Sequence, residues 1–560
     1  MIVPYNMKKL VWLIFVFTVI LFTSDEISAG YIGVAPPEDG GDWEIDQFTF
    51  VWDETINVTD ITVSEGSGTF KLQNVTLNIT GKVIIEDNTE WISSDIIHNT
   101  TTNSNLINLK DSLLIKGTNL TINAPEHVFD GSGFQGMRLS TNSKLVITDL
   151  DNNPETMDDA SIISSMNWNI SDPYNTALEF WTYGSNTVVE FSNSIFNHLF
   201  AVTTNGNNII VKNNTFNYCG SMAWNYGNNL VFENNYAYNN NYGWLVDFYG
   251  DNALVQNNIV EGSGTGVFFM DSGKNHLIRN NTIKDVPYYG ITAEGACASC
   301  GIFTAMNTMN STWANNTLIN VDNWGIYFHN ATNATIQGNQ FFNMRNGIIS
   351  EGENSTITHN YFNNNGEGTS CTFFCIIILN GDVTVPLDNV NLSNNTLLNV
   401  GDVGIALENG LEILTNISIV DNYVEGAIVG LLLEDGWCSD CLEAPENLFV
   451  SRNVFTNLTV GIRLDATDVT VGGNNYIFYD NTISNSWNGI RLYAYEENRN
   501  AFSELEVNNN KISVNGTGIF ISGFVNPKII ENGIIGSARG IDSVFTVSYT
   551  HLTLPTSDLV

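Results

Sequence analysis

One asparagine recurs along most of the chain, and this repeat constrains the fold more than any other feature. Aligned on it, the sequence repeats at Asn193, Asn214, Asn235, Asn258, Asn281, Asn316, Asn339, Asn360, Asn395, Asn422, Asn453, Asn481 and Asn510. The spacing is about 21–23 residues early and about 27–31 late, with two steps near 35, the signature of a repeat architecture. From Asn214 onward the residue three before the anchor is apolar or aromatic, as in Val211, Phe232, Ile278 and Val507. The residue two after it is commonly apolar, as in Phe216, Ile283, Phe341 and Phe455. About eight or nine residues past most anchors a glycine opens an apolar-x-apolar triplet, as in Gly325-Ile326-Tyr327-Phe328 and Gly461-Ile462-Arg463-Leu464.

These are short period-2 strands punctuated by Asn and Gly, and no stretch sustains the 3.6-residue period of a helix. A unit of about 23 residues cannot close a core alone, but stacked coils can bury each strand's inward residues against those above and below. Asparagine suits the turn on two counts. It tolerates left-handed backbone angles, and identical side chains one coil apart can hydrogen-bond as a ladder. The repeated asparagines therefore build the fold and do not mark a site.

The pattern resembles the right-handed parallel β-helix repeat family of the pectate-lyase-like superfamily, including NosD-type and surface β-helix proteins. Residues of about 190–525 carry the resemblance, and Phe129-Asp130-Gly131-Ser132-Gly133 is similar to a turn of early coils in that superfamily. It implies an all-β chain, a single-stranded right-handed parallel β-helix or solenoid. The expected layout is a signal peptide over 1–29, a linker or cap over 30–44, the β-helix over 45–530 and a partial coil over 531–546. The signal is read from Lys8-Lys9, the apolar run Leu10 to Phe22 and the small residues Ser28-Ala29-Gly30. Residues 547–560, starting Val547-Ser548-Tyr549-Thr550-His551, resemble the translation of a sequencing adapter and are set aside as artefactual.

Charge narrows the function. The chain carries 59 acidic and 20 basic residues, a net −39. Such a surface repels phosphate backbones, which excludes nucleic acid as a partner. The export signal places the protein outside the cell or on its surface, with contact to membrane only through that signal or a missing C-terminal anchor. Sequons such as Asn57, Asn119, Asn310 and Asn457 would accept glycans if the host glycosylates its exported proteins.

The seven cysteines form three tight pairs and one single, Cys219. Cys297 and Cys300 sit about five coils from Cys438 and Cys441, on the order of 24 Å, too far for one tetrahedral zinc. With Cys371 and Cys375 they are expected to form local disulfides that clamp insertion loops. The resemblance also names enzymes, and their motifs are missing here. Asp158-Asp159 exists, but the Gly-His-Gly and Arg-x-Lys of polygalacturonase-like hydrolases and the Asp-Pro-His-Asp of alginate epimerases do not. A NosD-like copper role would rest on fold alone, because no Met/His/Cys cluster supports it.

One column stands out. The fourth residue after the coil glycine reads Asp247, Glu294, His329, Glu351, Glu408, Glu434 and Asp465, then Tyr493. Even offsets point outward, so these residues should share one outer face. Like carboxylates about 5 Å apart repel by roughly 3 kcal/mol at an effective dielectric near 20. The column is then either a solvated acidic edge or a Ca²⁺ or ligand groove, with Asp247, Glu351, Glu408, Glu434 and Asp465 as the cation ligands. No other cofactor is expected. Glu294, Tyr327, His329 and Glu351 form the best candidate site for stacking a sugar beside acid–base groups. Two readings follow. One is a structural or adhesive scaffold that binds polysaccharide, cell-surface glycan or cations along one face. The other is a polysaccharide lyase, glycoside hydrolase or epimerase on the same fold.

Overall fold

The computed structural model describes residues 29–64 and 188–544 apart from short segments, chiefly 241–244, 263–266, 287–302, 364–374, 381–386, 409–413, 435–444, 467–473 and 495–502, together with strand backbone between 68 and 182. All regular structure among the described residues is β. The chain winds as a right-handed parallel β-helix, and strands of successive coils pair parallel and in register. Three sheets run along the axis. The first, 17-stranded, holds the strands that precede each ladder asparagine, such as Ile209–Lys212, Leu230–Glu233 and Ala253–Gln256. The second holds those that follow it, such as Thr215–Asn217 and Tyr236–Tyr238. The third includes Ser221–Asn225, Val246–Phe248, Phe268–Met270, Phe303–Met306, Trp324–His329 and Asn346–Glu351.

Period-2 alternation does what the sequence required of it. Val211, Phe232, Val255 and Ile278 align coil on coil and are fully buried. Inside the tube aromatic rings run from coil to coil: Phe196 stacks on Phe216 at 5.2 Å, Phe268 on Phe303 at 5.3 Å and Phe341 on Phe362 at 4.4 Å. Burying such rings is the main favourable term of the solenoid. The coil glycines have a steric reason. A Cβ at Gly430 would lie 2.5 Å from the Phe455 ring and 2.6 Å from the Gly461 carbonyl oxygen.

The ladder is present, with a division of labour that the repeat alone did not reveal. Asn316 Oδ1 accepts from both the backbone N–H and the side-chain amide of Asn281, while Asn316 donates to Asn339 Oδ1 and to the Ile278 carbonyl. The same pattern runs to Asn532. The left-handed angle, however, belongs to the residue before each ladder asparagine: Asn213 (φ 55°), Asn234, Asn257, Asn280, and even Arg452 and Glu531. Two properties assigned to one asparagine are thus split between neighbours. Asn193 is one of the left-handed residues, and Ser194 takes the ladder position below Asn214, donating its backbone N–H to Asn214 Oδ1 at 3.1 Å.

The ends also sharpen. Trp43–Ile45 already pairs with Ile61–Val63, so the first coil starts at Trp43, two residues before the expected boundary. Gly30–Ile32 pairs antiparallel with Thr49–Trp52, an edge cover consistent with a cap. Arg539–Val544 pairs with Thr517–Ser522, so the partial coil continues the third sheet. The expected signal, bar Ala29, and the tail from 547 lie outside the described residues.

Candidate functional site

The third sheet shows its outer face in two columns two residues apart. The first reads Trp224, Asp247, Phe269, Thr304, Tyr327 and Ile349 in successive coils. The second contains Met306, His329 and Glu351, and further along Glu408, Glu434, Asp465 and Tyr493. Asp271 belongs to this second column, because Met270 before it pairs with Phe248 and Ala305.

Asp247 is therefore corrected. It faces outward but sits in the column of Tyr327; Tyr249 takes the place assigned to it, and Asp271 follows in that column one coil on. The expectation counted from the glycine, and the turn between ladder and strand varies in length. Gly325 immediately precedes Ile326, whose register partners trace back through Phe303 and Phe268 to Val246, three residues past Gly243. Counting from the strand would have found the register.

Asp247 is only 8% exposed, and its Oδ1 has no hydrogen-bond partner. Burial, then the charge of half-buried Asp271, pushes its carboxyl up to about 7, while a hydrogen bond from Tyr249 pulls the other way. Burial also raises Asp271. Tyr249 is raised by burial and by the two carboxylates, and its ring stacks on Tyr226 at 4.7 Å. The Trp224 indole nitrogen is buried without an acceptor. This group of aromatic rings and carboxylates was missed in the sequence except for Asp247 itself.

Farther along, three of the four candidate residues come together. Glu351 Oε2 accepts from the Tyr327 hydroxyl at 3.1 Å and lies 2.7 Å from His329 Nδ1. The Tyr327 and His329 rings are near-parallel, 6.3 Å apart. The network is covered, with Tyr327 9% and Glu351 7% exposed. From Tyr327 the first column continues as Ile349, Ile378, Ala406 and Leu432, a buried apolar cluster on the outside of the sheet. His329 keeps 24% of its side chain exposed at the edge of this covered network. Glu294 lies outside the described residues.

The proposed cation ligands divide. Glu408, Glu434 and Asp465 are register partners, as expected. At Asp465 cations of the chain already stand beside the carboxylate, although its buried Oδ1 forms no hydrogen bond. Arg463 binds its Oδ2 through Nε at 2.6 Å, and Arg491 Nη2 lies 3.9 Å from its Oδ1. Among the described residues no three His, Cys, Asp or Glu side chains come together as a metal site. Of the paired cysteines, Cys375 opens the strand Cys375–Asn380, and Cys297, Cys300, Cys371, Cys438 and Cys441 lie outside the described residues. Cys219 is buried, its Sγ 3.4 Å from the Phe196 carbonyl oxygen.

The fold and this face define a parallel β-solenoid with a polar, aromatic outer wall. The sequence matches the family described as "Right handed beta helix region" over residues 157–302 and 300–468, and the chain belongs to it. Residues 427–553 match the family described as "Periplasmic copper-binding protein (NosD)". No curated protein matches the chain. Solved structures similar to it include a mutant of the periplasmic alginate epimerase AlgG, 11% identical over 80% of this chain and 84% of that one, with a TM-score of 0.22. A mannuronic acid specific polysaccharide family 6 lyase from human gut microbiota is 12% identical over 82% and 85%, with a TM-score of 0.25. A tailspike protein mutant of E. coli bacteriophage HK620, in complex with a pentasaccharide, is 10% identical over 82% and 72%, with a TM-score of 0.28. Likeness at this level says nothing of chemistry, because one fold hosts many functions.

Proposed function

We propose that this is an extracytoplasmic β-helix protein that binds carbohydrate along the outer face of its third sheet, as a structural or adhesive scaffold. The N-terminal charge, apolar run and small residues support export, and the NosD match, described as periplasmic, agrees. The observation that carries the binding reading is Asp247, a buried carboxylate with one oxygen unpaired, set beside Trp224, Tyr249 and Phe269. Sugars present C–H faces to aromatic rings and hydroxyl donors to carboxylates, so the wall offers both halves of their recognition. The test is a glycan array followed by calorimetry on the full exported chain. Trp224→Ala should weaken binding by about tenfold, the loss of one buried aromatic contact. Absence of binding across the array would overturn the proposal.

The second reading, a polysaccharide lyase, hydrolase or epimerase, is favoured by one contact. His329 beside Glu351, with Tyr327 on the same carboxylate, gathers groups able to move a proton. Incubation with the glycans that bind, followed by mass analysis for cleaved or unsaturated products, tests it. Unchanged glycans leave the scaffold reading, and products that vanish in His329→Gln establish the enzyme.

A further inference from the structure

We infer that the Asp247–Asp271 end of this face recognises a protonated amine, so that the glycan it takes is an amino sugar with unacetylated nitrogen. The inference rests on the carbohydrate reading and narrows its ligand class.

Neither Asp247 nor Asp271 forms an ion pair with any described residue. The titratable groups that face Asp247 are Tyr249, which hydrogen-bonds to it, and Asp271, whose charge opposes it. Its column neighbours Trp224 and Phe269 carry no charge. A buried carboxylate oxygen without a partner is costly, and a second carboxylate beside it compounds the cost. A ligand that relieves both must bring donors and positive charge. A uronate would add a third anion and is rejected. A neutral sugar supplies donors but leaves the repulsion in place.

An ammonium fits on three counts. It has three donors and no acceptor, so it can bridge two carboxylates. One coil and two residues separate the aspartates, which sets their Cβ atoms about 8 Å apart, from which both carboxylates can reach a nitrogen between them. The stacked rings of Tyr226 and Tyr249 stand alongside, and tyrosine faces attract cations. Acetylation would remove the charge and replace two donors with a carbonyl and a methyl.

The bound state needs Asp247 ionised, whereas its carboxyl is held near 7 in the free protein. Binding should therefore expel a proton from Asp247 at pH 6–7. Calorimetry in two buffers of different ionisation enthalpy reads that proton. The ligands are a glucosamine tetramer, its N-acetylated counterpart and a tetra-uronate, with the full exported chain at moderate salt. The glucosamine tetramer should bind at least tenfold tighter than the N-acetylated one and release close to one proton from Asp247 at pH 6, falling to about half a proton at pH 7. Asp247→Asn and Asp271→Asn should each lose at least tenfold, with unchanged β-sheet circular dichroism. Diffuse attraction to a chain of net charge −39 would survive the removal of one charge, so binding insensitive to both variants overturns the site. Equal or tighter binding of the N-acetylated or uronate oligomer overturns the amine and leaves carbohydrate binding standing. Binding of millimolar Ca²⁺ alone, lost in Asp247→Asn, replaces the amine with a metal cation. No binding of any glycan removes the reading underneath.

Discussion

Asp247 and Asp465 stand on the outer face of the same sheet, and the charges beside them are opposite. Asp465 is gripped by Arg463 and flanked by Arg491, in a chain with few basic residues to spare. Each has a buried Oδ1 without a hydrogen bond, but Asp247 has a like charge for a neighbour where Asp465 has two cations. A folding chain gains from the first arrangement and loses from the second. An exposed unpaired aspartate costs little on an acidic protein. A buried one that is kept despite its cost points to a ligand, because strained electrostatics concentrates at functional sites.

Titrating the stability of Asp247→Asn tests this contrast most severely. The folded carboxyl sits near 7, above the 3.8 of an ordinary aspartate. The unfolded state therefore gives up its proton first, and the folded protein loses stability as pH rises from about 4 to about 7. Above 7 the loss is complete, up to about 4 kcal/mol. In urea unfolding, Asp247→Asn should be the more stable protein at pH 8 by a few kcal/mol, with the advantage fading below pH 5. A variant less stable than the parent at pH 8 would mean that Asp247 has a partner, and the contrast would collapse.

A ladder variant in the neighbouring coils separates electrostatic from structural cost. Asn316→Ala removes the acceptor of two Asn281 donors, leaving its buried backbone N–H without a partner and its side-chain amide with only the Val255 carbonyl. At about 1–3 kcal/mol for a buried unsatisfied group, the expected loss is about 3 kcal/mol. No titratable group takes part, so the loss should be the same at pH 5 and pH 8 by denaturant unfolding. A pH-dependent loss would show that the ladder and the outer face are coupled, and Asp247 could not be read alone.

The contrast also shows what a linear sequence exposes. The solenoid was legible because its cause is repeated: Val211, Phe232 and Val255 each meet the same need, and a dozen copies average out the exceptions. The split between ladder and left-handed residues was not legible, since Asn213 and Asn214 are the same residue type. At the site, Tyr327, His329 and Glu351 were found because their coils place the glycine at the same distance from the strand. Asp247 was misplaced because its coil does not. Its burial and missing partner depend on packing across coils, which no spacing encodes. The arginine clamp on Asp465 was partly visible, since Arg463 lies two residues before it and the two share one face. Arg491 enters only through the next coil.

The smallest effect should come from the other half of the comparison, and its sign carries the meaning. Asp465→Asn leaves Arg463 and Arg491 one coil apart without the carboxylate between them. Both arginines keep solvent contact, their side chains being 35% and 44% exposed, so water and salt recover much of what is lost. The expected change is a destabilisation of about 1 kcal/mol at pH 8, shrinking as ionic strength rises because screening weakens both the original pair and the new repulsion. The same aspartate-to-asparagine change should thus lower stability at Asp465 and raise it at Asp247 at the same pH. Unfolding of the two variants side by side at pH 8, in low and high salt, decides the matter. Opposite signs mean that pairing, and not the net charge of the chain, sets the energy of each carboxylate. Two stabilised variants would mean that general repulsion on an acidic protein dominates, and Asp247 would lose its claim to be a ligand site.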